Sequence, residues 1–129
     1  MKATPTHPRL RFFLVDDSAP FLTWATRALE RHPQIEIVGQ ARSGKEALEQ
    51  VTQIQPDVVL LDMAMPDMNG VDVTRHIKGQ PDAPYIVIVT LHDTPHYRAA
   101  AEAAGADSFI SKADFGIQMG TLLNTLLTS

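Results

Sequence analysis

The chain has 129 residues, 44% of them hydrophobic and 20% charged, and carries a net charge of −4 near neutral pH. This suits one globular domain with no room for a second, and the acidic balance excludes a general polyanion binder. The absence of cysteine excludes disulfides, thiolate chemistry and cysteine-ligated zinc. No apolar run approaches the ~20 residues of a membrane span, and the N-terminal MKATPTHPR lacks the apolar core of a signal peptide, so a cytoplasmic protein is expected.

Residues 1–9 read as a tail and residues 10–129 as the domain. From Arg11 onward, apolar runs alternate with helical periodicity, the pattern of strand–helix units on a parallel sheet. The first run, RFFLV, stops at two adjacent carboxylates, Asp16 and Asp17. Capping of the next helix by Asp17 or Ser18, with Pro20 in its first turn, explains one acceptor but not two acids. The stripe Phe21, Trp24, Ala25, Ala28 and Leu29 predicts a helix packed on the core.

The second strand, IEIVG, is interrupted by Glu36, as suits an edge strand. GQARSGKE, from Gly39 to Glu46, then matches the glycines and lysine of a phosphate-binding loop. Glu46 stands where that loop needs a magnesium-coordinating hydroxyl, and a carboxylate there would repel phosphate. Ser43 and Glu46 are better read as a capping box for the helix whose apolar stripe is Ala47, Leu48, Val51 and Ile54.

The third strand, VVLL, ends in Asp62 within VVLLDMAMPDMNG. The fourth, YIVIVT, ends in Thr90, with Leu91 and His92 beyond it. HDTPH sets His92 and His96 four residues apart, but ligating a metal would need a helix starting before Pro95, so both read as surface histidines. Thr94 and Pro95 open the fourth helix, and Gly105 closes it. The short fifth strand, SFIS, is followed by Lys112, and Met119, Leu122, Leu123 and Leu126 mark the last helix. Strands one, three and four are thus central, and two and five are edges.

In a doubly wound parallel sheet the functional crevice lies beyond the carboxyl ends of the strands. Asp16, Asp17, Asp62, Thr90 and Lys112 all follow strands and therefore converge there. Three carboxylates in one cleft call for a compensating cation. Mg2+ takes hard oxygen ligands, and the lack of cysteine or a nearby motif histidine argues against a softer metal. Asp62 reads as a nucleophile toward phosphorus, forming an aspartyl-phosphate, with Lys112 and Thr90 neutralising charge on the transferred group.

With the acid pair, the LLDMAMPDMNG loop, the threonine and the lysine after GADSFIS in this order and spacing, the chain resembles the receiver domain of a two-component response regulator from Leu10 onward. HPQIEIVGQARSGKEAL and TLHD are further similar to receivers of the NarL/LuxR type. The resemblance implies a flavodoxin-like (βα)5 three-layer α/β sandwich whose five-stranded parallel sheet has the order 2-1-3-4-5. It implies Asp62 as phosphoacceptor and metal ligand, Asp17 as a direct Mg2+ ligand and Asp16 as a ligand through water. The backbone carbonyl of Ala64 would be a third protein contact to the metal. Thr90 and Lys112 would bind the phosphoryl oxygens, and Phe109 would be the aromatic switch.

The implied partner is a sensor histidine kinase or phosphotransfer protein, with no membrane contact. The signal would emerge on the face of the fourth helix, fifth strand and fifth helix, with homodimerisation on phosphorylation among its outcomes. The expected role is a switch and not an enzyme, catalysing only its own phosphotransfer and dephosphorylation. The NarL/LuxR likeness favours a transcription regulator that meets DNA through an output domain beyond Ser129. A stand-alone receiver acting through protein contacts is the alternative. A haloacid-dehalogenase-type phosphatase would want a second acid two residues after the nucleophile, where Ala64 stands. A phosphate-inert variant is disfavoured because every charged site residue is present.

Three departures stand out. Phe109 lacks the hydroxyl of the commoner tyrosine, so its movement would be driven by packing alone. Ala64 offers no polar side chain to hold a hydrolytic water, while Leu91 and His92 are bulky enough to shield the phosphoryl group. Lys112 is followed by Ala113 instead of proline, and because a cis peptide there would cost about 2.5–4 kcal/mol, its geometry stays open.

Overall fold

Five strands form one parallel sheet in the order β2-β1-β3-β4-β5, the order expected for a flavodoxin-like fold. They are β1 (Leu10–Val15), β2 (Ile35–Ala41), β3 (Val58–Asp62), β4 (Tyr85–Thr90) and β5 (Ser108–Ser111). The helices are α1 (Ala19–Glu30), α2 (Gly44–Ile54), α3 (Gly70–Lys78), α4 (Pro95–Ala104) and α5 (Phe115–Thr128). This computed structural model describes residues 9–128. The expected tail therefore lies outside the described residues except for Arg9, as does Ser129.

The central strands are apolar throughout because side chains alternate between two buried faces. Phe12 and Leu14 of β1, Leu60 of β3 and Val87 and Val89 of β4 face α1 and α5, where Leu22, Ala25, Leu29, Phe115, Met119 and Leu123 meet them. Phe13, Val15, Leu61, Ile86 and Ile88 face the other way, against Val51 of α2, Val73 and Ile77 of α3 and Ala101 of α4. β2 and β5 are the edges, and Glu36 on β2 is partly exposed beside Arg9 at 3.5 Å.

The caps decide what the sequence left open. Ser18, not Asp17, caps α1, its Oγ accepting the N–H of Phe21. Ser43 caps α2 by accepting from Glu46 N–H, but the Glu46 carboxylate accepts from Gln50 four residues on, so the box is half made. Thr94 and Gly105 bracket α4 as expected. The stripe on α1 is rotated from its expected place: Leu22 is buried, whereas Trp24 is 50% exposed. Spacing of three and four residues centres the buried face on Leu22, Ala25 and Leu29.

Gly70 opens α3 where the chain folds back on β3. Its N–H donates to Met63 O at 2.7 Å, and a Cβ there would stand 2.5 Å from the carbonyl oxygen of Asp62. Backbone cannot yield as a flexible side chain would. Gly70→Ala is expected to lower stability by about 1–3 kcal/mol, read as a lower urea midpoint at unchanged slope.

Candidate functional site

The parallel register brings the carboxyl ends of β1, β3, β4 and β5 to one edge. Asp16, Asp17, Asp62, Ala64, Thr90, Leu91, His92 and Lys112 there line one cavity of about 550 Å³. Of the expected site residues, only Phe109 lies elsewhere. Short backbone bonds fix the rim: Asp16 N–H donates to Ala41 O at 3.1 Å, Met63 N–H to Val89 O at 3.1 Å and Lys112 N–H to Thr90 O at 2.7 Å.

Asp16, Asp17 and Asp62 each place a carboxylate oxygen within 4.8 Å of the others. Asp16 is 2% exposed and Asp62 6%, so water does little to relieve their repulsion. The Lys112 ammonium does so instead, 2.7 Å from Asp16 Oδ2 and 3.6 Å from Asp62 Oδ1. It also sits 4.3 Å from the centre of the Phe21 ring, whose electron-rich face favours a cation. Asp16 Oδ1 accepts the Ser18 N–H at 2.8 Å, and its buried Oδ2 is held by the Lys112 ammonium. Burial, and then the Asp16 charge, push the Asp62 carboxyl up to about 7; Lys112 and the Ala64 N–H pull it down, and Asp17 raises it further.

Arg42 donates to Asp17 O at 3.1 Å and so anchors the second acid's backbone. Thr90 is buried, and its Oγ1 accepts the His92 N–H at 3.0 Å. Leu91 and His92 are exposed at the cavity mouth. The surface reading of His92 and His96 holds: both are exposed, and α4 begins only at Pro95. The oxygen-only donor set of three clustered carboxylates fits Mg2+ better than any soft metal.

Phe109 lies on the α4 side of β5, half-buried against that core. The Arg98 guanidinium covers its ring at 4.8 Å and makes a fork to Asp93 at 2.6 and 2.9 Å. Packing alone does not hold the ring, because a cation covers it. No described peptide is cis, so Lys112–Ala113 is trans. Sequence reasoning missed Phe21, Trp24, Arg42 and Arg98. The first two follow the acid pair closely enough to have been suspected, whereas nothing local marks the arginines.

A family model described as the response regulator receiver domain matches residues 12–124. Among curated proteins, the chain is 36% identical over 118 residues to protein-glutamate methylesterase/protein-glutamine glutaminase 2 of Koribacter versatilis, covering 90% of this chain and 31% of the relative. Among solved structures, it resembles the signal receiver domain of NarL from Mycobacterium tuberculosis, with 31% identity, a TM-score of 0.79, and 82% and 86% of the two chains covered. It also resembles the response regulator domain of Thermotoga maritima CheB, with 26% identity, a TM-score of 0.82, and 93% and 95% covered.

These relatives correct one expectation. A switch that is not an enzyme was expected, yet the relatives matched at 36–37% identity are enzymes by name. Switch motifs carry no information about the output they govern, so they could not exclude a hydrolase. The chain spans about three-tenths of the length of these relatives. Among the described residues, no helix is long and apolar enough to cross a membrane.

The raised Asp62 carboxyl has a consequence for stability. Below about pH 4 it is protonated whether the chain is folded or unfolded. Between there and about 7 the folded chain keeps a proton that the unfolded chain loses, so this group's contribution to stability falls as pH rises through that window. In metal-free protein at pH 7.5, Asp62→Asn is therefore expected to raise stability by about 2 kcal/mol, with the gain vanishing near pH 4. Urea denaturation at both pH values measures it.

Proposed function

Because the chain belongs to the response regulator receiver domain family, we propose that it is a phosphorylation switch whose acceptor is Asp62 and whose donor is the phosphohistidine of a sensor kinase or phosphotransfer protein. The observation that carries this reading is the buried Asp62 carboxylate facing the Lys112 ammonium inside the acid cluster. An Asp62 oxygen attacks phosphorus, the P–N bond to the donor imidazole breaks, and the imidazole leaves with the electron pair and takes up a proton. Lys112 pairs with an oxygen of the transferring group, and the Thr90 hydroxyl donates to another.

Asp17 would hold Mg2+ directly, Asp16 through a water, and Asp62 and the Ala64 carbonyl would complete the protein contacts. Bound there, the ion supplies charge neutralisation for the acids and the phosphoryl oxygens. The added charge, about −1.5 to −2 on a phosphorylated side chain, draws on Thr90 and reaches Phe109, altering the α4-β5-α5 face. Action in the cytoplasm follows from the donor, and self-association through this face is one outcome.

The output we infer is of the methylesterase kind. This rests on sequence relatives of that name, which are more similar than the 28% identical LuxR-family regulator from Aurantimonas. The likeness to the NarL receiver domain, at 31%, favours an output of the NarL/LuxR type as the second reading. Hydrolysis of protein glutamate methyl esters by the full gene product, raised on phosphorylation, would separate the two.

Acetyl phosphate with Mg2+ is expected to add one phosphoryl group by mass spectrometry in the wild-type chain and none in Asp62→Asn. Persistent stoichiometric labelling of that variant would move the acceptor elsewhere. Hydrolysis of the acyl phosphate needs an aligned water, which the Ala64 side chain cannot hold. Ala64→Asn is expected to speed loss of the phosphoryl group about tenfold, followed as decay after donor removal at constant Mg2+.

A further inference from the structure

One acid outside the cluster is committed to a backbone site. Asp67, near the tip of the β3–α3 loop, accepts the N–H groups of Gly44 and Lys45 on separate oxygens, each at 3.0 Å. These are the first two residues of α2, whose N–H groups no helical carbonyl can reach and whose helix end is partly positive. This is where GQARSGKE imitates a phosphate-binding loop, and the chain's own carboxylate occupies the place of the phosphate. The bonds from Lys45 and then Gly44 hold the Asp67 carboxyl below its usual range.

A second, steric contact closes the same joint. A Cβ on Gly44 would stand 2.8 Å from Met68 Cβ and 3.0 Å from Val73 Cγ2, so the loop lies directly on the α2 backbone. At its base, the loop is fixed by Gly70 N–H to Met63 O and Met63 N–H to Val89 O. Between base and tip sits Ala64, whose N–H pulls the Asp62 carboxyl down. A loop lacking the tip contact would have to be ordered when a cation binds, and that entropy is lost from the affinity.

We propose that Asp67 is a positioning residue for the metal: by pinning the β3–α3 loop to the start of α2, it presets the Ala64 carbonyl against Asp16, Asp17 and Asp62. This rests on Ala64 being a metal contact in the reading above. The competing role, a plain helix cap for α2, would change stability and leave the folded protein's Mg2+ affinity alone.

Mg2+ titration of the whole chain can be followed by the fluorescence of Trp24, its only tryptophan, which lines the same cavity. Asp67→Ala is expected to weaken Mg2+ binding about tenfold, while the rate of phosphorylation by acetyl phosphate at saturating Mg2+ stays within about twofold. In the metal-free variant, the Gly44 and Lys45 amides should exchange faster with deuterium.

Lys45→Pro deletes one donor at the second position of the helix, which Pro20 already occupies in α1. Compared with Lys45→Ala, it reads the N–H alone. It should weaken Mg2+ binding about threefold, and the double variant should be no weaker than Asp67→Ala. If Asp67→Ala does not fold, the Lys45→Pro comparison decides. Mg2+ affinity within about twofold of wild type in Asp67→Ala, with or without lower stability, overturns the proposal, as does an additive loss in the double variant. A wild-type chain without any Mg2+ response would instead overturn the metal reading on which the tether rests.

Discussion

Three carboxylates held within 4.8 Å of one another in a pocket where two are almost fully buried would drive the strand ends apart without a counter-charge. Lys112 provides it, and its position constrains much else. Its ammonium must reach Asp16 and Asp62 from the end of β5, the far edge of the sheet, so it lies along the Phe21 ring on α1. Phe21 in turn meets Phe115 edge-on at 5.6 Å, and Trp24 meets both rings. The exposed tryptophan that sits outside the core stripe is thus the outer layer of the aromatic support on which the lysine rests.

The ionic balance also explains why the site can respond. Burial and the neighbouring Asp16 charge, only partly offset by the Lys112 ammonium, leave Asp62 with a carboxyl near 7, poised to change its charge near neutrality. The arrangement favours any cation that can take up the remaining negative charge, and any group that binds oxygen-rich species on the same side.

The fold was legible because β1, β3 and β4 bury both faces, so their apolar runs stand out, while Glu36 marks β2 as an edge. The site was legible because each member follows a strand directly, which turns spacing into position. What failed depended on contacts distant in sequence. Asp67 meets Gly44 across 23 residues, and no local pattern announces it. Arg98 reads as one more surface charge until Phe109 is placed beneath it. Trp24 misled because Phe21, Trp24, Ala25, Ala28 and Leu29 keep the three-and-four spacing of a core stripe, whereas the helix turns the neighbouring face of Leu22, Ala25 and Leu29 inward. The third helix gave no stripe in the sequence reading, its buried face resting chiefly on Val73 and Ile77.

The sheet separates two cores that share no helix: α1 and α5 on one side, and α2, α3 and α4 on the other. Close-packed interiors are stiff and transmit strain through whatever contacts they share, and side chains of the two cores meet each other only around the sheet's edges. Here the bridge is the row of strand ends, where Lys112 leans on the α1 side and the loop from Thr90 to Asp93 leads, through the Arg98 fork, to Phe109 on the other. The wall therefore works as a partition with one door. A partner gripping α1 can hold a surface that stays still while α4, β5 and α5 rearrange, so the machinery that writes the signal and the machinery that reads it need not compete for the same moving parts.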